Sequence, residues 1–107
     1  MTAKLTEEEF SRHLNTKFRV RLDAPEPFEL ELVEVKGRPS GVGEQQGMER
    51  FSLFFRGPAQ PRLGQHTFPL THERMGDFDL FLVPVGQDAQ GVLYEAVFNY
   101  FKEEEKP

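Results

Sequence analysis

From Lys17 onward the apolar residues of this chain recur at every second position, a period that builds strands rather than amphipathic helices. "KFRVRLD" puts Phe18, Val20 and Leu22 on one face and Arg19 and Arg21 on the other. "FELELVEVK" opposes Phe28, Leu30 and Leu32 to Glu29 and Glu31, then slips phase so that Val33 and Val35 become the apolar set. Such a slip marks a β-bulge or a bend. "RFSLFFRG" sets Phe51, Leu53 and Phe55 against Ser52, Phe54 and Arg56. "HTFPLTH" contains Pro69, which predicts an edge strand or an irregular segment. "DFDLFLVPV" and "VLYEAVFNY", separated by the polar "GQDAQG", predict a hairpin. With Leu82 opposite Ala96, one face carries Phe78, Leu80, Leu82 and Pro84 beside Tyr94, Ala96, Phe98 and Tyr100. The other carries Asp79, Phe81, Val83 and Val85 beside Leu93, Glu95, Val97 and Asn99.

One helix precedes the strands. In "LTEEEFSRHLN" Thr6 is an N-cap and Glu9 follows three positions later, the pattern of a capping box. Leu5 and Phe10 have the spacing of a hydrophobic staple, and the glutamates crowd the positive end of the helix dipole. These signals predict a helix over 6–15, with Phe10 and Leu14 as a narrow apolar stripe. One helix followed by strands with hairpin-length connections predicts a mainly β domain. Its form is an antiparallel β-barrel or two-layer sandwich of about six strands with one N-terminal helix. Residues 17–100 form the β-structure and 101–107 a frayed tail.

A strand with one wet face alternates apolar and polar residues, and "DLFLVPVG" does not. The helix stripe is expected to lie across Phe81 and Val97. About ten helical residues span only about 15 Å, which leaves Val33, Phe54, Val83, Val85 and Leu93 without cover. Two arrangements solve this. Either a protein partner, in the simplest case a second copy of the chain, docks on Phe54, Phe81 and Val83 with Arg56 at the rim. Or the sheet closes further and buries both faces within one chain.

The chain's 107 residues fit a single domain, and 37 % hydrophobic with 29 % charged residues fits a soluble globule. Eleven Phe and no Trp make it reliant on apolar rings without polar tips. A net charge of −5 provides no electrostatic basis for binding nucleic acid. The absence of cysteine removes disulfides, thiolate nucleophiles and Cys-based zinc sites, and agrees with a reducing compartment. "MTAKLTEEEF" has no apolar run of the signal-peptide kind, so a cytoplasmic protein without membrane association is expected.

Four segments in this order, "EPFELELVEV", "FSLFFRGP", "DLFLVPVG" and "YEAVFNY", resemble a family of small uncharacterised bacterial single-domain proteins known as a domain of unknown function. The resemblance runs from Phe10 to Tyr100. It implies stand-alone domains without an assigned activity. It also implies an assembly or accessory role in gene neighbourhoods of phage-tail-collar type, and it brings no catalytic residues.

The residues themselves assemble no catalytic set. His66 and His72 are about 20 Å apart along a continuous strand, too far to share an ion, and His13 lies on the helix. Surface or capping histidines are expected, with no metal and no cofactor. Asp79 and Glu95 share a face but stand about 13 Å apart, beyond the reach of a glycosidase pair. Glu95 is expected to pair with Arg19, Arg21 or Arg56. Ser11, Ser40 and Ser52 lack a nucleophile elbow, and "SGVG" lacks the helix and lysine of a phosphate loop. "GRPSGVGEQQGME", from Gly37 to Glu49, reads as a long hairpin loop, mobile or functional. "FRGP" reads as a strand end with a salt-bridged arginine, or as an arginine anchor at an interface. The function expected from the sequence is therefore a non-enzymatic protein-interaction or assembly module. A small-molecule-binding barrel is the alternative, and a hydrolase the third reading.

Overall fold

The computed structural model describes residues 5–22, 28–37, 48–60 and 62–101. Its elements are α1 (Glu7–Ser11), β1 (Lys17–Val20), β2 (Phe28–Gly37), β3 (Met48–Gly57), β4 (His66–His72), β5 (Gly76–Asp88) and β6 (Gly91–Phe101). The strands pair antiparallel in the order β1-β2-β3-β6-β5-β4 and close into a barrel. The expected Gly37–Glu49 loop becomes the β2–β3 connection. Its residues 38–47 lie outside the described residues; of the expected tail at 101–107, Phe101 is instead the last residue of β6, paired with Met48, and 102–107 lie outside the described residues.

The two-residue period sorts the barrel's inside from its outside. Phe18, Val20, Phe28, Leu30, Phe51, Leu53 and Phe55 all lie buried in the interior. Phe68, Leu70, Phe78, Leu80, Leu82, Val92, Tyr94 and Ala96 join them there. Side chains fill the interior, with Phe18 and Phe55 ring centroids 5.3 Å apart. A small barrel of this kind is a packed core.

The phase slip in "FELELVEVK" is a bulge. Leu32 pairs with Phe55 and Glu34 with Phe54, so Val33 is the extra residue, and Val35 returns to the inside opposite Leu53. The hairpin keeps the expected register, with Val83 opposite Glu95 and Pro84 opposite Tyr94, until a second bulge at Val85. Beyond it the strands run on to Asp88 and Gly91, so the turn shrinks to Ala89 and Gln90. β5 also changes partner along its length. It pairs with β4 from Gly76 to Leu82 and with β6 from Val83 to Asp88.

β4 departs from expectation. It is a regular strand inside the ring despite Pro69, paired with β5 over its whole length. The pairing with β1 covers only Arg19–Thr71 and Val20–Leu70, and the Pro69 carbonyl accepts from the Arg21 amide just past it. The proline's missing donor therefore faces the side where the ladder is already ending.

The helix differs more. Thr6 caps it as expected, accepting from the Glu9 amide at 3.1 Å, but the Glu9 carboxylate turns down the helix to Arg12 and His13. Regular α-helix ends at Ser11, and 12–15 continue as turns up to Asn15, whose φ of 67° reverses the chain into β1. The Asn15 amide donates to the Leu32 carbonyl and the Leu32 amide to the Thr16 carbonyl, which pins this corner to β2. α1 also does not lie across the outer hairpin face. Phe10 inserts into one end of the barrel, with ring centroids 6.3 Å from Phe18, 6.3 Å from Phe51, 5.9 Å from Phe78 and 5.6 Å from Phe98. Full burial of one phenylalanine in the open end outweighs spreading a two-residue stripe over an outer surface. Leu14 is left half in water. Toward the other end, the segment after β3 is held by the Leu63 amide, which donates to Tyr94 Oη at 2.9 Å.

Candidate functional site

Two surfaces hold chemistry. The first is the outer face of β3, β6 and β5, where cross-strand pairing sets Phe54 beside Glu95 and Glu95 beside Val83 in one row. Phe54 and Val83 are half-buried. Phe81, two residues from Val83, is 49 % exposed, Val85 is 47 % exposed, and Val97, two residues from Glu95, is 56 % exposed. The structure thus brings Phe54, Val83 and Phe81 onto one surface and adds Val85 and Val97 to it. Val97 was expected beneath the helix and is open because the helix went inside.

Arg56 stands one step along the same face, opposite Leu93. Its guanidinium donates to both carboxylate oxygens of Asp88, at 2.9 and 3.1 Å. Donation from the Gln90 amide first, and from Arg56 second, holds the Asp88 carboxyl below the usual carboxylate range. Arg56 is therefore fastened to the end of β5 beside the hairpin turn. Arg19 lies 3.8 Å from Glu29 and Arg21 4.0 Å from Asp77, so these strand arginines have carboxylates of their own. Asp79 faces Pro69 on β4, whereas Glu95 faces Val83 on β5.

The second surface is a polar pocket of about 500 Å³ at the helix end of the barrel, lined by His13, Thr16, Lys17, Arg19, His72 and Arg74 among others. His72 is 5 % exposed, so of the two roles expected for the histidines, surface or capping, it takes the second. Its Nδ1 accepts from the amides of Arg74 at 3.0 Å and Met75 at 3.2 Å. Nε2 therefore holds the proton and donates to Thr16 Oγ1 at 3.0 Å, while that hydroxyl donates to the His13 carbonyl at 2.6 Å. Both ring nitrogens thus have hydrogen-bond partners. The His13 and His72 rings are 4.6 Å apart, whereas His66 lies exposed against Phe68. Among the described residues, no group of three or more histidine or acidic side chains is placed to hold a metal ion. Period two carried part of the signal for His72, which shares parity with Phe68 and Leu70 in "HTFPLTH"; His66 shares it too and lies exposed at the strand's other end.

A match to DUF6916, a family described as a domain of unknown function, covers residues 5–98. The chain belongs to the DUF6916 family. No curated protein and no solved structure matches it. The family match thus spans α1 and the six strands up to Phe98, taking in the rows of both surfaces. Among the described residues of this DUF6916 chain, no helix is long and apolar enough to cross a membrane.

Proposed function

We propose that this DUF6916 chain is a non-enzymatic protein-interaction or assembly module that docks through the outer face of β6 and β5. The observation that carries the reading is the half exposure of three large apolar side chains, Phe81 and Val85 on the outside of β5 and Val97 on the outside of β6. Apolar area gathered on one face marks an interaction surface more often than scattered leucines do. The packed interior weighs against the alternative of an apolar ligand within the barrel. The commitment of both His72 nitrogens weighs against a hydrolase built on the polar pocket. A second copy of the chain is the simplest occupant, because one patch then serves both sides of a two-fold interface. An accessory role in a phage-tail-like assembly, in the cytoplasm, is the wider form of this proposal.

Multi-angle light scattering over a range of concentrations tests it, on the parent and on Phe81→Glu and Val97→Glu. The parent is expected to dimerise, and each variant to stay monomeric with the melting temperature that the parent shows at concentrations where it is itself monomeric. A parent that remains monomeric at every concentration sinks the self-association.

A further inference from the structure

We infer that His72 is a proton-sensitive latch: the neutral ring ties the β4–β5 turn to the corner between α1 and β1, and a proton on Nδ1 releases the turn. The inference starts from hydrogen-bond roles. Nδ1 has one lone pair in the plane of the ring, and two amides, those of Arg74 and Met75, point at it. A proton there turns the acceptor into a donor facing two donors, so both bonds are lost together. On the other side, Thr16 Oγ1 receives Nε2–H and passes its own proton to the His13 carbonyl, so the chain of donors has one direction only.

The two sides of the latch differ in anchorage. Thr16 and Asn15 are held to β2 by backbone bonds to both polar groups of Leu32 and form the fixed post. Residues 73–75 are the turn that moves, closed at its base by the His72–Gly76 pair, with Gly76 at φ 83°. The Met75 side chain, 1 % exposed, and the Phe18 ring, 4.3 Å from the His72 ring, are what an open turn uncovers.

The groups facing His72 bias the proton. Burial of the ring and the neighbouring His13 both oppose a charge on His72, Glu73 favours it, and Arg74 opposes it. From the remaining neighbours, Glu9 stands against His13 at 3.4 Å, and Lys17, Arg19 and Glu29 line the shared pocket. The closed state thus excludes a proton that the open state accepts, and acid drives opening by mass action.

The test is nuclear magnetic resonance on the full chain from pH 7.5 to 5. Ring ¹⁵N shifts at pH 7.5 are expected to show an unprotonated Nδ1 on His72. Protection of the Arg74 and Met75 amides, corrected for intrinsic exchange, is expected to fall about tenfold per pH unit between the histidine pKa values of the open and closed forms. The amides of β3 and β6 keep their protection. His13→Gln retains the response, while His72→Asn, which keeps an acceptor near Nδ1 but cannot titrate, abolishes it. Three results each overturn the latch: a His72 ring protonated on Nδ1 at pH 7.5, Arg74 and Met75 protection unchanged while the ring titrates, or protection lost equally across the barrel. The first two readouts come from the parent protein alone, so the outcome does not depend on the variants folding.

Discussion

At the scale of single residues, two glycines are required by what stands close to them at the end of β3. Gly91 has φ 135°, and a β-carbon there would meet the Gly57 carbonyl oxygen at 2.0 Å. A β-carbon on Gly57 would stand 2.7 Å from a Leu30 methyl and 3.3 Å from the Tyr94 ring. Gly91→Ala is expected to cost about 2 kcal/mol or more, read from urea denaturation, because it combines backbone strain with a backbone collision. "FRGP" looked like a strand end with an arginine to explain. The reason for its glycine lies on the neighbouring strand, in the Leu30 side chain of β2, which no pattern within β3 shows. His72 carries a second prediction. Its pKa is held below the ordinary histidine value, mainly by burial, so the unfolded chain binds the proton more readily than the folded one. Stability contributed by the neutral ring is complete above about pH 6.5 and falls as pH drops through and below that value. Melting temperatures of the parent should therefore decline below pH 6.5 more steeply than those of His72→Asn.

At the scale of elements, the strands were legible and the helix only in part. Apolar parity marked the phase slip at Val33, which is a bulge, and sorted the two faces of the hairpin, because a one-residue slip would turn Phe55 or Leu82 out into water; the register itself, supposed with Leu82 opposite Ala96, holds from Val83 to Pro84. The cap at Thr6 was legible from its hydroxyl and spacing. Where the helix docks was not, since Phe10 and Leu14 fit an outer face and a barrel end equally well by spacing. The barrel end became visible only once four strands had each offered it a phenylalanine. A five-residue helix holds no structure of its own, so its stability is that of its plug. Phe10→Ala should cost about 3–5 kcal/mol, and Thr6→Ala about 0.5–2 kcal/mol, in the same denaturation experiment. Equal losses at the two positions would mean that α1 is not seated by its ring.

At the scale of the whole molecule, the question raised by "DLFLVPVG" has a divided answer. One face of that strand is core, and the other stays partly in water at Phe81 and Val85. Closure of the ring and the covering of its outer surface are separate matters, and only the first can be read from alternation within one chain. Phe81→Ser is accordingly expected to leave the stability of the isolated chain within about 0.5 kcal/mol of the parent, as measured by denaturation at low concentration. The ring itself is uneven. β3 and β6 are joined along ten residue pairs, whereas β1 and β4 meet at two. Those two pairs join segments about fifty residues apart in the chain, so the loss of chain freedom on closing them is offset by very few bonds. The clasp between Arg19–Val20 and Leu70–Thr71 is therefore expected to be the last contact made when the chain folds and the first to part when it is pulled or heated, which amide exchange at these four residues against that of β3 and β6 checks. In kinetic terms the protein is then a six-strand sheet, wound from β4 through β5, β6, β3 and β2 to β1, that becomes a barrel only in its final step.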